Sequence, residues 1–123
     1  MTVSLYSRFQ SEQLQLAKVV EGVKASFAGR LGKLDLSLED FNDHSADVVI
    51  VDGRFSEERI KLFCAMVGKQ ACVIVMLDKP DAKLGNRYTR AGASAVGHWR
   101  MPTNDIGLLI AHAAARTHHK VEA

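Results

Sequence analysis

With 123 residues, the chain has room for a single domain spanning 1–123. Hydrophobic residues make up 47% and charged residues 24%, which excludes a disordered, collagen-like or disulfide-stapled chain. Sixteen Lys and Arg against fourteen Asp and Glu leave a formal net charge of +2, too mild to imply nucleic acid or an acidic membrane as a partner.

Val3 to Tyr6 is a short apolar run that reads as a strand. Ser11 can cap a helix whose apolar positions are Leu16, Val20, Val23 and Phe27, punctuated by Gly29 and Gly32. Leu34, Leu36 and Leu38 alternate with Asp35 and Ser37, the pattern of a half-exposed edge strand. Residues 39–46 are polar and leave space for one helical turn at most. Asp47-Val48-Val49-Ile50-Val51-Asp52 is apolar on both faces, as central strands of a parallel sheet are. Ser56-Glu57-Glu58 opens a helix with the stripe Ile60, Phe63, Cys64 and Val67. Residues 71–77 form another apolar strand, closed by Asp78-Lys79-Pro80, and 81–90 read as a helix closed by Gly92. A last strand over 93–99 precedes a helix from Asn104 onward, with Ile106, Leu109, Ile110 and Ala113 on its inner face, and a frayed tail from Thr117.

Strands alternating with helices predict an α/β fold whose parallel sheet is covered on both faces. Right-handed crossovers and one amphipathic outer strand point to a doubly wound, flavodoxin-like sheet of five strands. The expected order is 2-1-3-4-5, with the second helix short or missing. Ligands of such sheets bind beyond the carboxyl ends of the strands. Those ends carry Ser7 and Arg8, then Asp52, then Asp78, and finally His98, Trp99 and Arg100.

Cys64 and Cys72 sit in apolar stretches without metal-ligand spacing, as thiols in a reducing compartment do. The five histidines lack zinc-site spacing, so no metal site is expected. The start of the chain shows neither part of a signal peptide, and no apolar run nears the roughly 20 residues of a membrane span. A cytoplasmic protein is the expectation. G-x-S-x-G, P-loop and G-x-G-x-x-G motifs are absent.

Two stretches resemble the receiver (CheY-like) domain of bacterial response regulators. The run 47–52 is similar to the third receiver strand with its terminal phosphoacceptor aspartate, here Asp52. Arg90-Ala91-Gly92-Ala93-Ser94-Ala95 is similar to the turn before the fifth strand. The resemblance implies a signalling module that meets protein partners such as a kinase, an output domain or an assembly protein. It implies a partner face around Lys83, Arg87, Arg90, Val96 and Trp99, and it leaves room for a homodimer.

The departures from the family are chemical. Ser7-Arg8 stands where receivers carry the acid pair that holds magnesium, and Asp78 stands where a hydroxyl ends the fourth strand. Val96 takes the place of an aromatic residue, and Trp99-Arg100 the place of Lys-Pro, unless a small insertion brings Arg100 and Pro102 into that register. A guanidinium is hostile to magnesium, a hard cation that wants carboxylate or water oxygens. The expectation is therefore a pseudo-receiver without cofactor or catalytic residue, similar to the atypical receivers of TadZ/CpaE pilus-localisation proteins. Its acid pocket (Ser7, Arg8, Asp78, Trp99 and Arg100 around Asp52) would be closed by Arg8 pairing with Asp52, Asp78 or both.

Plainer readings stand beside these: Asp52 as a loop cap for Gly53-Arg54, Asp78 as a turn residue, and Arg8 and the row Lys83, Arg87 and Arg90 as solvated charge. Two other functions also fit the same frame. One is a working response regulator, phosphorylated with magnesium on Asp52 by a histidine kinase. The other is a small flavodoxin-like enzyme or nucleotide binder.

Overall fold

The computed structural model describes residues 2–22, 26–30, 41 and 46–122. Two runs that are apolar on both faces set the centre of the fold. They form β3 (Val48–Asp52) and β4 (Cys72–Leu77), both buried along their full length. Strands of this kind persist only where both faces of the sheet are covered. Around them lie β1 (Thr2–Tyr6), β2 (Ser26–Arg30) and β5 (Ala95–His98), with helices α1 (Gln10–Gly22), α2 (Glu57–Val67), α3 (Ala82–Ala91) and α4 (Thr103–Glu122). The sheet runs β2-β1-β3-β4-β5, and every neighbouring pair is parallel.

Strand alternation sorts the core into two layers. Val49, Val51, Val73 and Val75 pack with Ile60, Phe63 and Tyr88 on the side of α2 and α3. Val48, Ile50, Ile74 and Met76 pack with Leu16, Val20, Ile106 and Ile110 on the side of α1 and α4. Each fully buried aliphatic side chain contributes about 1.5–3 kcal/mol, so these layers outweigh any single polar contact. The helix starts are capped as their sequences suggest: Ser56 Oγ accepts from the Arg59 N–H at 3.4 Å, and Asp81 Oδ1 from the Leu84 N–H at 3.1 Å.

The expected first helix ran too far. Helix α1 ends at Gly22, and Phe27 lies in β2 opposite Val3 rather than on a helical stripe. Val20, Val23 and Phe27 satisfy a helical spacing, but an unpaired β1 edge beside the core offers backbone hydrogen bonds that local periodicity does not weigh. The second strand is thus Ser26–Arg30. Leu34, Leu36 and Leu38 lie outside the described residues, as does 39–46 apart from Phe41 and Ala46, which are buried against the α2 layer.

Two glycines join the ends of α2 and α3. A Cβ at Gly68 would lie 2.5 Å from the Cys64 carbonyl oxygen and 2.6 Å from that of Gly92. Gly92 has φ +128°, and its own Cβ would lie 2.6 Å from the Cys64 oxygen. The carboxyl ends of both helices are therefore in direct contact. Beneath them Cys64 is fully buried, which pushes its thiol up to about 11.

Gly85, within α3, is different in kind. A Cβ there would meet Val96 Cγ1 at 3.4 Å, an ordinary contact, and nothing nearer. Gly85→Ala is expected to stabilise the domain by about 0.5–1 kcal/mol through helix propensity, read as a higher urea midpoint at unchanged slope.

Candidate functional site

The site forms where β1 and β3 end side by side, with Tyr6 opposite Val51 in register. Asp52 closes β3 with only 1% of its surface exposed, and Ser7, just past β1, is wholly buried. Ser7 Oγ donates to Asp52 Oδ2 at 2.8 Å and in turn accepts from the Phe9 N–H at 3.1 Å. The remaining donors come from Arg54. Its backbone N–H reaches Oδ1 at 3.0 Å, its Nε reaches Oδ1 at 3.0 Å and Oδ2 at 3.2 Å, and its Nη2 reaches Oδ2 at 2.9 Å. Both carboxylate oxygens are thus engaged by a guanidinium, a hydroxyl and an amide. This answers the rule that a buried charge must be paired and hydrogen-bonded.

Arg54 is held from three directions. Its Nη2 also lies 3.0 Å from Glu12 Oε1 on α1, whose other oxygen accepts from Ser11 Oγ at 2.8 Å. Its guanidinium carbon sits 3.7 Å from the centroid of the Phe9 ring. The hydrogen bond to Asp52 raises the Arg54 pKa above the ordinary arginine value; burial opposes this, and the charges of Asp52 and Glu12 add to it. Across the cleft, Arg8 places its guanidinium carbon 5.1 Å from the Phe55 ring. The Arg-Phe dipeptides of the two loops therefore clasp each other, the arginine of each over the ring of the other.

The expected acid pocket is only partly assembled. Asp52 and Ser7 meet as expected, but the guanidinium engaged with Asp52 is that of Arg54, two residues along the chain, where Arg8 was expected. A fork that can fold back on its own strand end needs no long-range placement. Arg8 instead is exposed and lines the cleft mouth with Phe9, Asp52, Arg54 and Phe55. Asp78 is exposed just past β4 and is not among those lining residues, because the turn into Pro80 carries it outward. Arg100 is exposed as well. Trp99 is buried and belongs to the core layer on the α1 and α4 side.

The expected partner face is likewise divided. Lys83, Arg87 and Arg90 are exposed on α3, and Val96 is half-buried under Gly85. Arg87 turns toward α2, where its Nε and Nη2 reach the two Glu57 oxygens at 2.9 and 3.0 Å. This contact holds the Glu57 carboxyl below its ordinary range. A separate groove on the β5 side of α3 is lined by Ala82, Gly85, Asn86, Thr89, Val96 and His98.

Magnesium does not fit this donor set. A hard divalent cation wants several carboxylate or water oxygens. Here two carboxylates, Asp52 and Glu12, already share the Arg54 guanidinium, Asp52 also holds a hydroxyl donor, and a second guanidinium lies at the mouth. Among the described residues, no group of three or more His, Cys, Asp or Glu is placed to hold a metal ion. No helix among them is long and apolar enough to cross a membrane.

No family model matches the chain, and no curated protein does. Solved structures do. A response regulator from Thermotoga maritima superposes with TM-score 0.76 at 17% identity, covering 93% of this chain and 97% of that one. A CheY-like receiver domain protein from Methanospirillum hungatei JF-1 gives 0.80 at 9% identity, with 97% of each chain covered. A protein described as a CpaE2 pilus assembly protein, from Sinorhizobium meliloti 1021, gives 0.70 at 13% identity, covering 92% and 99%. At these identities the likeness speaks for architecture, and on that ground the chain has the α/β fold of the response regulator receiver domain.

Proposed function

We propose that the chain is a receiver-fold interaction module that acts by binding protein partners and does not undergo magnesium-dependent phosphotransfer at Asp52. One observation carries this reading: the Asp52 carboxylate is already fully engaged by Arg54, Ser7 and a backbone amide. Phosphoryl transfer depends on cations that neutralise the transferring group and on an acceptor oxygen free to attack. In this site the cation is tethered to the acceptor itself. The reading makes the chain a cytoplasmic, non-enzymatic signalling component, whose partner is a kinase, an output domain or an assembly protein. The pilus-assembly neighbour favours the last of these.

The phosphorylation test uses a small phosphodonor with magnesium, read by intact mass. No stoichiometric adduct is expected on the wild-type chain. Stoichiometric labelling that disappears in Asp52→Asn would establish a working response regulator and overturn the proposal. The cleft beside Asp52, of about 90 Å³, is too small to seat a flavin or nucleotide against that carboxylate, since such pockets run to roughly 300–1,000 Å³.

A further inference from the structure

We infer that the outer stripe of α2 pairs with the same stripe of a second copy of this chain, the two helices running antiparallel. The stripe is Glu58, Leu62, Ala65, Met66 and Lys69, all exposed. Leu62 and Met66 are large apolar side chains that leave 62% and 42% of their surface uncovered. Steps of three and four residues keep these five positions on one line along the helix. The opposite line, Ile60, Phe63, Cys64 and Val67, is buried in the core, so the stripe faces outward. Lys69 lies two residues past the end of α2, and Gly68 keeps helical backbone angles (φ −59°, ψ −17°), so the turn continues to it.

The order of charge along the stripe selects the occupant. An acid stands at the amino end, a base at the carboxyl end, and apolar groups lie between them. Among the described residues neither Glu58 nor Lys69 is held in an ion pair, whereas Lys61 reaches Glu57 at 3.9 Å and Arg87 reaches it at 2.9 Å. Arg59 and Lys61 fall to either side of the stripe by helical geometry. A second copy, turned antiparallel about a centre between Phe63 and Cys64, sets each Glu58 against the Lys69 of the other copy. The same pairing sets each Leu62 against Ala65, with Met66 alongside, so a bulky side chain meets a small one. A uniformly acidic or basic partner would leave one end of the stripe facing like charge. A parallel copy would set Glu58 on Glu58. This face is distinct from the basic row on α3 and from the groove beside β5.

Sedimentation equilibrium of the full chain tests this. A seam made by one helix is small among protein interfaces, so a reversible monomer–dimer equilibrium is expected below about 1 mM. Leu62→Ser/Met66→Ser should weaken it by at least about tenfold. Glu58→Lys or Lys69→Glu alone should weaken it by about tenfold, since each sets like charges face to face twice. The double variant Glu58→Lys/Lys69→Glu should dimerise as wild type. An equimolar mixture of the two single variants should regain the association, as each supplies the charge that the other lacks. Added salt should narrow these differences. Leu14→Ser/Leu108→Ser, on α1 and α4, should dimerise as wild type. All these positions are exposed, and circular dichroism confirms the fold of each variant.

A wild-type chain that stays monomeric throughout, or dimers indifferent to Leu62→Ser/Met66→Ser, would overturn the inference. So would single charge variants that are not weakened, or that neither the double exchange nor mixing restores. The inference goes beyond the reading of Asp52 and stands without it: Asp52→Asn should dimerise as wild type. Phosphoryl labelling of Asp52 would therefore sink the functional reading while leaving the pairing result standing.

Discussion

Arg54→Ala is expected to lower the unfolding free energy by about 2–4 kcal/mol in urea denaturation at neutral pH. The substitution strands a carboxylate whose side chain is 2% exposed, leaving it the Ser7 hydroxyl and one backbone amide. Breaking a fully buried pair costs about 3–5 kcal/mol, and the 28% exposure of the Arg54 side chain lets water recover part of that. Asp52→Asn should cost less, since an amide needs no counter-charge, and the double variant should cost less than the sum of the two singles. A loss below about 0.5 kcal/mol for Arg54→Ala would mean that the ion pair does not hold the buried acid.

The second large effect is expected from Gly92→Ala, at about 3 kcal/mol or more. Two penalties act at once. The φ of +128° is one that side chains rarely adopt, and the new Cβ would lie 2.6 Å from the Cys64 carbonyl oxygen. That oxygen belongs to helix backbone and accepts the Gly68 N–H at 2.9 Å, so it cannot step aside cheaply. Urea or thermal unfolding reads the loss. A change within about 0.5 kcal/mol would show that the two helix ends can separate without disturbing the core.

The centre of the fold was legible because burial on both faces leaves a mark that survives in the residues. Val48–Val51 and the run through Leu77 could belong only to covered strands. Edge β2 was not legible. Ser-Phe-Ala-Gly-Arg has little strand character, and its state depends on the partner edge of β1, 24 residues away in the register Thr2↔Ser26. At the site, Asp52 and Ser7 were readable as strand ends, and a guanidinium clasp was foreseeable from the lack of acids beside Ser7. Its owner was not. Arg54 stood in view inside Gly53-Arg54, where the loop-capping reading of Asp52 already placed the neighbouring amide. An arginine two positions past a buried acid, followed by an aromatic residue, was the available signal. The orientation of Arg87 toward Glu57 depended on how α2 and α3 cross, which no local pattern encodes.

The reciprocal stacking of Arg8 on Phe55 and Arg54 on Phe9 has a mechanical consequence. Swinging either loop out alone would break both stacking contacts at once. The two excursions become one event, rarer than either alone, and this end of the sheet is tied like two hands gripping each other's wrists.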